Sequence, residues 1–125
     1  MPIDATQPYD NANIFARILR GEIPSRRVYE DEWAVAFHDI TPQAATHILV
    51  IPRGAYVSWD DFSGRASAEE IAGFVRAVGH VAREQGLVAS GYRLLANIGR
   101  DAGQEVPHLH VHLFGGGPLG PMLAR

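Results

Sequence analysis

The spacing of apolar positions changes along the chain, and each change marks an element. Residues 1–10 show no period and contain Pro2 and Pro8, which predicts a flexible leader ahead of one packed domain at 11–125. Ile14, Phe15, Ile18 and Leu19 recur at helical spacing, with Asn11 or Asn13 as N-cap and Gly21 as a left-handed stop. Val28 to Glu30 and Trp33 to His38 read as the strands of a hairpin, with Trp33, Val35 and Phe37 on one face. After a turn at Thr41 to Gln43, the run His47 to Ile51 is strand-like and stops at Pro52; parity groups His47 with Leu49 and Ile51.

Ser58 to Phe62 reads as a brief helical turn, and Ser67 to Gln85 carries the clearest helical signal. Ser67 and Glu70 have capping-box spacing, Ile71, Phe74, Val75, Val78 and Val81 form an apolar stripe, and Gly86 suits the C-terminal cap. Two strands follow, Tyr92 to Asn97 and His108 to Phe114, separated by the loop Ile98 to Gln104. The Gly- and Pro-rich tail Gly115 to Arg125 reads as irregular. This order predicts the α+β class: an antiparallel sheet with a short N-terminal helix and one long helix, the helices on one side.

Composition narrows the function more than the fold. With 125 residues, 46% hydrophobic and 20% charged, the chain suits a single ordinary domain. A net charge of -3 argues against a nucleic-acid partner but leaves a small anionic ligand open, because local donors can hold a phosphate whatever the overall charge. The absence of cysteine removes disulfides, thiolate nucleophiles and Cys-based zinc sites. Neither a signal-like apolar run near residue 1 nor an 18-residue apolar stretch is present, so the reading is a cytoplasmic protein without a membrane partner.

The candidate chemistry lies in the last strand. His108, His110 and His112 alternate with Leu109, Val111 and Leu113, so the apolar set faces the core and three imidazoles share the other face, neighbours about 6.6 Å apart. Histidine titrates near neutral pH, so one ring can serve as a neutral nucleophile and another as a protonated donor. Gly103 and Gln104, in the preceding loop, offer backbone and amide donors for phosphate oxygens. Other readings stand beside this one. The row could be a solvated strand face, or an H-x-H metal pair with His47 as third ligand, although no carboxylate or Cys motif accompanies it. Asp39 suits the turn before Thr41-Pro42, His80 reads as structural or surface, and His38 as exposed.

The segment Gly103-Gln104-Glu105-Val106-Pro107-His108-Leu109-His110-Val111-His112-Leu113 resembles the signature of the histidine triad (HIT) family. The continuation Gly115-Gly116 with Pro118 to Met122 resembles its bacterial Hint branch, as do Phe37 to Ala44, Thr46 to Pro52, and Ile14-Phe15 with Ile23-Pro24. The resemblance runs from about Asn13 to Met122 and implies a HIT-like fold. It implies a hydrolase that cleaves purine nucleoside phosphoramidates through a nucleotidyl-histidine intermediate on His110. On that reading His112 binds phosphate and helps proton transfer, His108 orients the site, and His47 contacts the nucleophilic ring. Asn97, Gly103 and Gln104 match phosphate contacts, Asp39 a ribose contact, and Ile14, Phe15, Ile18, Phe37, Ile40 and Leu49 the base pocket.

Glu105 stands where vertebrate Hint proteins carry a serine that touches the phosphate. An extended chain from Gln104 would turn its carboxylate to solvent or to Arg100 and leave its backbone N–H for the phosphate. The resemblance further implies a homodimer, with Ser67 to Gln85 and Tyr92 to Asn97 near the two-fold axis. No cofactor is required, and a divalent metal such as zinc at the histidines would be incidental. The alternatives are a dinucleoside polyphosphate hydrolase, disfavoured by Gly115-Gly116, a nucleotidyl transferase, disfavoured by His112, and a nucleotide-binding adaptor with incidental turnover.

Overall fold

A helix of six residues cannot hold itself in water, so the first element must be fixed by its ends and its packing. In the computed structural model, which describes residues 2–124, α1 (Ile14–Leu19) is capped by Asn13, whose Oδ1 accepts the Ala16 N–H at 2.9 Å. Met1 and Arg125, the ends of the expected leader and tail, lie outside the described residues. The chain continues through β1 (Arg27–Glu30), β2 (Ala34–His38), β3 (Thr46–Pro52), α2 (Trp59–Arg65), α3 (Ala68–Glu84), β4 (Arg93–Leu95) and β5 (Val111–Gly115). Among the described residues the strands form one sheet in the order β1-β2-β3-β5-β4, with every neighbouring pair antiparallel. The class is α+β, as the element order predicts. No helix among the described residues is long and apolar enough to cross a membrane.

The central strands are covered on both faces, which corrects the expectation of helices on one side. Ala34, Ala36, Ile48 and Val50 join Phe74, Val78 and Val81 of α3 in one core, together with Leu109, Val111 and Leu113. Val35, Phe37, Leu49 and Ile51, of opposite parity, pack against Phe15 and Ile18 of α1 in a second core. His112 is the register partner of Leu49 and so shares the α1 face, as does His47. That face carries the histidines.

The long helix has the capping box that Ser67 and Glu70 predict, and Gly86 follows it at φ 72°. Val75, expected in the buried stripe, is 55% exposed, and Gly73 and Ala77 are buried instead. Gly73 is covered by Trp33. This tryptophan precedes β2, escapes that strand's parity and lies against Gly73, where a Cβ would fall 2.3 Å from the indole. Both late strands are shorter than expected. β5 begins at Val111 because the His108 N–H turns back to the Val106 carbonyl at 2.9 Å, just after Pro107.

Candidate active site

Because β5 starts at Val111, only His112 of the three alternating histidines belongs to a strand, and the even row expected on one strand does not form. The rings nevertheless meet. His110 lies between Phe15 and His112, at centroid distances of 4.9 and 5.2 Å, and His112 is 5.2 Å from His47. Phe114 backs the group, 4.2 Å from His47 and stacked on His112 at 5.7 Å.

Hydrogen bonds fix the rings one by one. His110 Nδ1 lies 2.7 Å from the His108 carbonyl, so this nitrogen carries the ring proton and Nε2 keeps a free lone pair. His47 Nδ1 accepts the Gln43 N–H at 3.1 Å, and its Nε2 is 2.9 Å from His112 Nδ1. The expected contact of His47 with the His110 ring is therefore corrected: His47 holds His112. His108 is fully buried, with Nε2 donating to the Pro52 carbonyl at 2.8 Å and Nδ1 accepting from the Tyr9 hydroxyl at 2.6 Å. Both nitrogens are committed, so His108 orients its neighbours and has no ring nitrogen left for a ligand.

Burial sets the protonation. It holds His108 down at about 4, helped by nearby His110 and opposed by the Pro52 carbonyl. It brings His112 to about 4 as well, with His110 and His47 adding to the effect and Asp39 opposing it. His110 and His47 are pushed below the ordinary 6.5 by the same desolvation, which Asp39 partly offsets at both. Without substrate, burial thus favours the neutral form at each of the four rings, against the standing protonated donor that histidine chemistry allows.

Asp39 combines two arrangements. Its Oδ1 accepts the Thr41 N–H at 2.8 Å, the turn predicted for it, and its Oδ2 lies 3.4 Å from His47 Nε2. Asp39, His47 and His112 also bring one ligand atom each within 4.8 Å of one another, a donor set that suits a divalent cation. Seating an ion there would break the His47–His112 hydrogen bond.

The loop expected to hold phosphate is tied to itself. Gln104 Nε2 donates to the carbonyls of Val57 at 2.7 Å and Val106 at 3.1 Å, its Oε1 accepts the Gly99 N–H at 2.9 Å, and its own N–H donates to the Gly99 carbonyl. The Gly103 N–H goes to the Arg100 carbonyl, from a left-handed φ of 77°. No N–H of Gly103 or Gln104 is left for a ligand, so these residues shape the loop, which corrects the donor role expected of them. Glu105 is exposed, and Arg100 pairs with Asp101 at 3.3 Å rather than with Glu105.

Phe15, Ile18, Phe37 and Leu49 form one buried apolar wall beside the histidines, and Ile14, next to Phe15 on α1, is 44% exposed. Ile40, expected in the same pocket, is 96% exposed and so is not part of the buried wall. Asn97 is half-buried just beyond β4. Spacing gave no sign of two contributors, Tyr9 and the Pro52 carbonyl, because they meet His108 across 99 and 56 residues of chain.

The HIT domain family matches residues 20–119. The chain is 65% identical to a 13.2 kDa HIT-like protein of Azospirillum brasilense, over 94% of this chain and 96% of that one. It is 48% identical to the purine nucleoside phosphoramidase of Escherichia coli, over 90% and 93% of the two chains. Among solved structures, a HIT family hydrolase from Clostridium thermocellum superposes with a TM-score of 0.83 at 36% identity, covering 92% of this chain and 99% of that one. A histidine triad protein from Clostridium difficile gives 0.80 at 37% identity, covering 93% and 100%. With the family matched over most of its length, and with relatives of this identity, the chain belongs to the HIT domain family and has the HIT fold.

Proposed function

We propose that the protein hydrolyses purine nucleoside phosphoramidates through a nucleotidyl intermediate on His110. The observation that carries this reading is the 2.7 Å contact of His110 Nδ1 with the His108 carbonyl, which leaves Nε2 as an unprotonated nucleophile beside an apolar wall. Nε2 attacks phosphorus and the P–N bond to the amine breaks. His112 is neutral in the free enzyme, but a phosphate anion beside it favours its cation, and that proton goes to the departing amine. Water then attacks phosphorus and passes a proton to His112, the Nε2–P bond breaks, and the nucleoside monophosphate leaves.

The purine packs on Phe15, Ile18, Phe37 and Leu49, with Ile14 at the rim; Asp39 takes the ribose hydroxyls, and Asn97 and the Glu105 N–H take phosphate oxygens. The name of the Escherichia coli relative supports the substrate class. The test is to quench a single turnover and look for nucleotide on the His110 peptide by mass spectrometry. His110→Ala should abolish multiple turnover while retaining nucleotide binding. Turnover retained in that variant would move the nucleophile elsewhere.

The reading includes a homodimer. Val75 of α3, Leu94 of the edge strand β4, Trp59 of α2, and Tyr92 and Ile98 are exposed apolar side chains around one surface, and β4 offers an unpaired edge. Sedimentation at micromolar concentration should give a dimer, and Leu94→Glu a monomer. A monomeric wild type would refute this assembly.

A further inference from the structure

Tyr9 precedes α1, in the segment that the sequence marks as a leader, yet its hydroxyl stands 2.6 Å from His108 Nδ1. The partner of His108 Nε2, at 2.8 Å, is the Pro52 carbonyl. A carbonyl oxygen only accepts, so Nε2 bears the proton of the neutral ring and Nδ1 must accept from the Tyr9 O–H. The His108 ring is 0% exposed, so bulk water does not reach it to replace either partner. The two rings also meet edge to face, 5.6 Å apart at 68°.

This pinning matters because no strand ladder holds the backbone at His108; β5 begins three residues later. The peptide between His108 and Leu109 is gripped at both ends. Its N–H donates to the Tyr56 carbonyl at 2.8 Å, and its carbonyl oxygen accepts the His110 Nδ1–H at 2.7 Å. The direction of that carbonyl depends on the backbone angles of His108, whose ring is fixed from two sides. A second tie keeps the segment in place: the Ile3 N–H donates to the Gln104 carbonyl at 2.8 Å, next to the loop that leads into the histidines.

We propose that Tyr9 is a positioning residue for the reaction: its hydroxyl completes the hydrogen bonding of His108 and so holds the His108 carbonyl where it keeps the proton on His110 Nδ1. The proposal rests on the reading of His110 as nucleophile. Tyr9 touches no reacting atom, and its effect passes through two histidines. The segment before α1 thus belongs to the active site.

Two variants separate hydroxyl from ring. Tyr9→Phe keeps the edge contact and removes only the O–H, whereas Tyr9→Ala removes both. In steady-state hydrolysis of an adenosine phosphoramidate, Tyr9→Phe should lower kcat by about tenfold with KM within about twofold, and Tyr9→Ala should fall only a few-fold further. In ligand-free protein with 15N-labelled histidine, Tyr9→Phe should move His108 Nδ1 away from its hydrogen-bonded position. The His110 signals should then report a mixture of tautomers rather than Nδ1–H alone. A Tyr9→Phe enzyme with kcat within twofold of wild type and an unchanged His110 tautomer would overturn the proposal and make Tyr9 a packing residue. If the wild type itself does not turn over phosphoramidates, the functional reading fails, and the His110 ring signals in Tyr9→Phe still decide whether Tyr9 positions that ring.

Discussion

His47 Nε2 lies 2.9 Å from His112 Nδ1, and His47 Nδ1 accepts the Gln43 N–H at 3.1 Å. Gln43 therefore fixes the proton of neutral His47 on Nε2, which donates to His112 Nδ1. Neutral His112 then carries its own proton on Nε2, the nitrogen left for a phosphate oxygen or the leaving amine. His47→Gln can still place an amide N–H near His112, whereas His47→Ala cannot. Phosphoramidate kcat should fall in the order wild type, His47→Gln, His47→Ala, with the alanine variant down by roughly tenfold or more. Equal losses in the two variants would mean that His47 acts by filling space.

Burial lowers the His110 pKa below 6.5, so its neutral nucleophilic form persists on the acid side of that value. In a profile of kcat/KM, which reports the free enzyme, the loss of activity caused by protonation of His110 should have its half-point below pH 6.5. Circular dichroism at each pH separates this limb from unfolding. A half-maximal point at or above 6.5 in folded protein would contradict the buried, desolvated setting of the ring.

Local features of the fold were legible in the sequence, and long-range ones were not. The Ser67–Glu70 capping box and the alternation of Leu109, Val111 and Leu113 depend on residues a few positions apart, and both appear as read. Periodicity marks which side of α1 is buried but not against which face of the sheet, so the two-sided core stayed hidden. The strand start at Val111 reflects a backbone turn beside Pro107 that competes with alternation. Gln104 shows the same limit at the site. Its partner Val57 lies 47 residues away, so a loop staple looked like a free phosphate donor.

Asp39 serves a turn through Oδ1 and faces His47 through Oδ2, and a carboxylate has lone pairs to spare for sugar hydroxyls. Asp39→Ala should weaken ribonucleotide binding by about 1.5 to 3 kcal/mol and deoxyribonucleotide binding by less. Calorimetric titration of both nucleotides measures the difference. Equal losses for the two sugars would reduce Asp39 to its turn.

Zinc bound by His47 and His112 at about 2.0 to 2.1 Å would hold their nitrogens about 3.3 Å apart in a tetrahedral site, wider than the present 2.9 Å. The rings must part by a few tenths of an ångström and lose the shared proton, and Asp39, the third donor, is then drawn away from the ribose. A chelator should leave turnover unchanged, and added zinc should inhibit in competition with nucleotide, less so in His47→Gln. A strict zinc requirement for turnover would instead make Asp39, His47 and His112 a catalytic metal site.

A carboxylate in the HIT signature at Glu105 places a negative charge near the proposed phosphate site. At about 7 Å, two like charges repel by roughly 2 kcal/mol at an effective dielectric of 20, but by only about 0.6 kcal/mol in water. Exposure decides between these values. Gln104 is buried and Glu105 is exposed, so the side chain points out and the smaller figure applies. Arg100 does not neutralise it, being paired with Asp101. Glu105→Gln should therefore change phosphoramidate kcat/KM by less than about tenfold, equivalent to 1.4 kcal/mol. The effect should shrink further in high salt, because an exposed charge is screened. A gain above tenfold would show the carboxylate turned toward the substrate and restraining it, and a loss above tenfold would make Glu105 a participant in proton transfer.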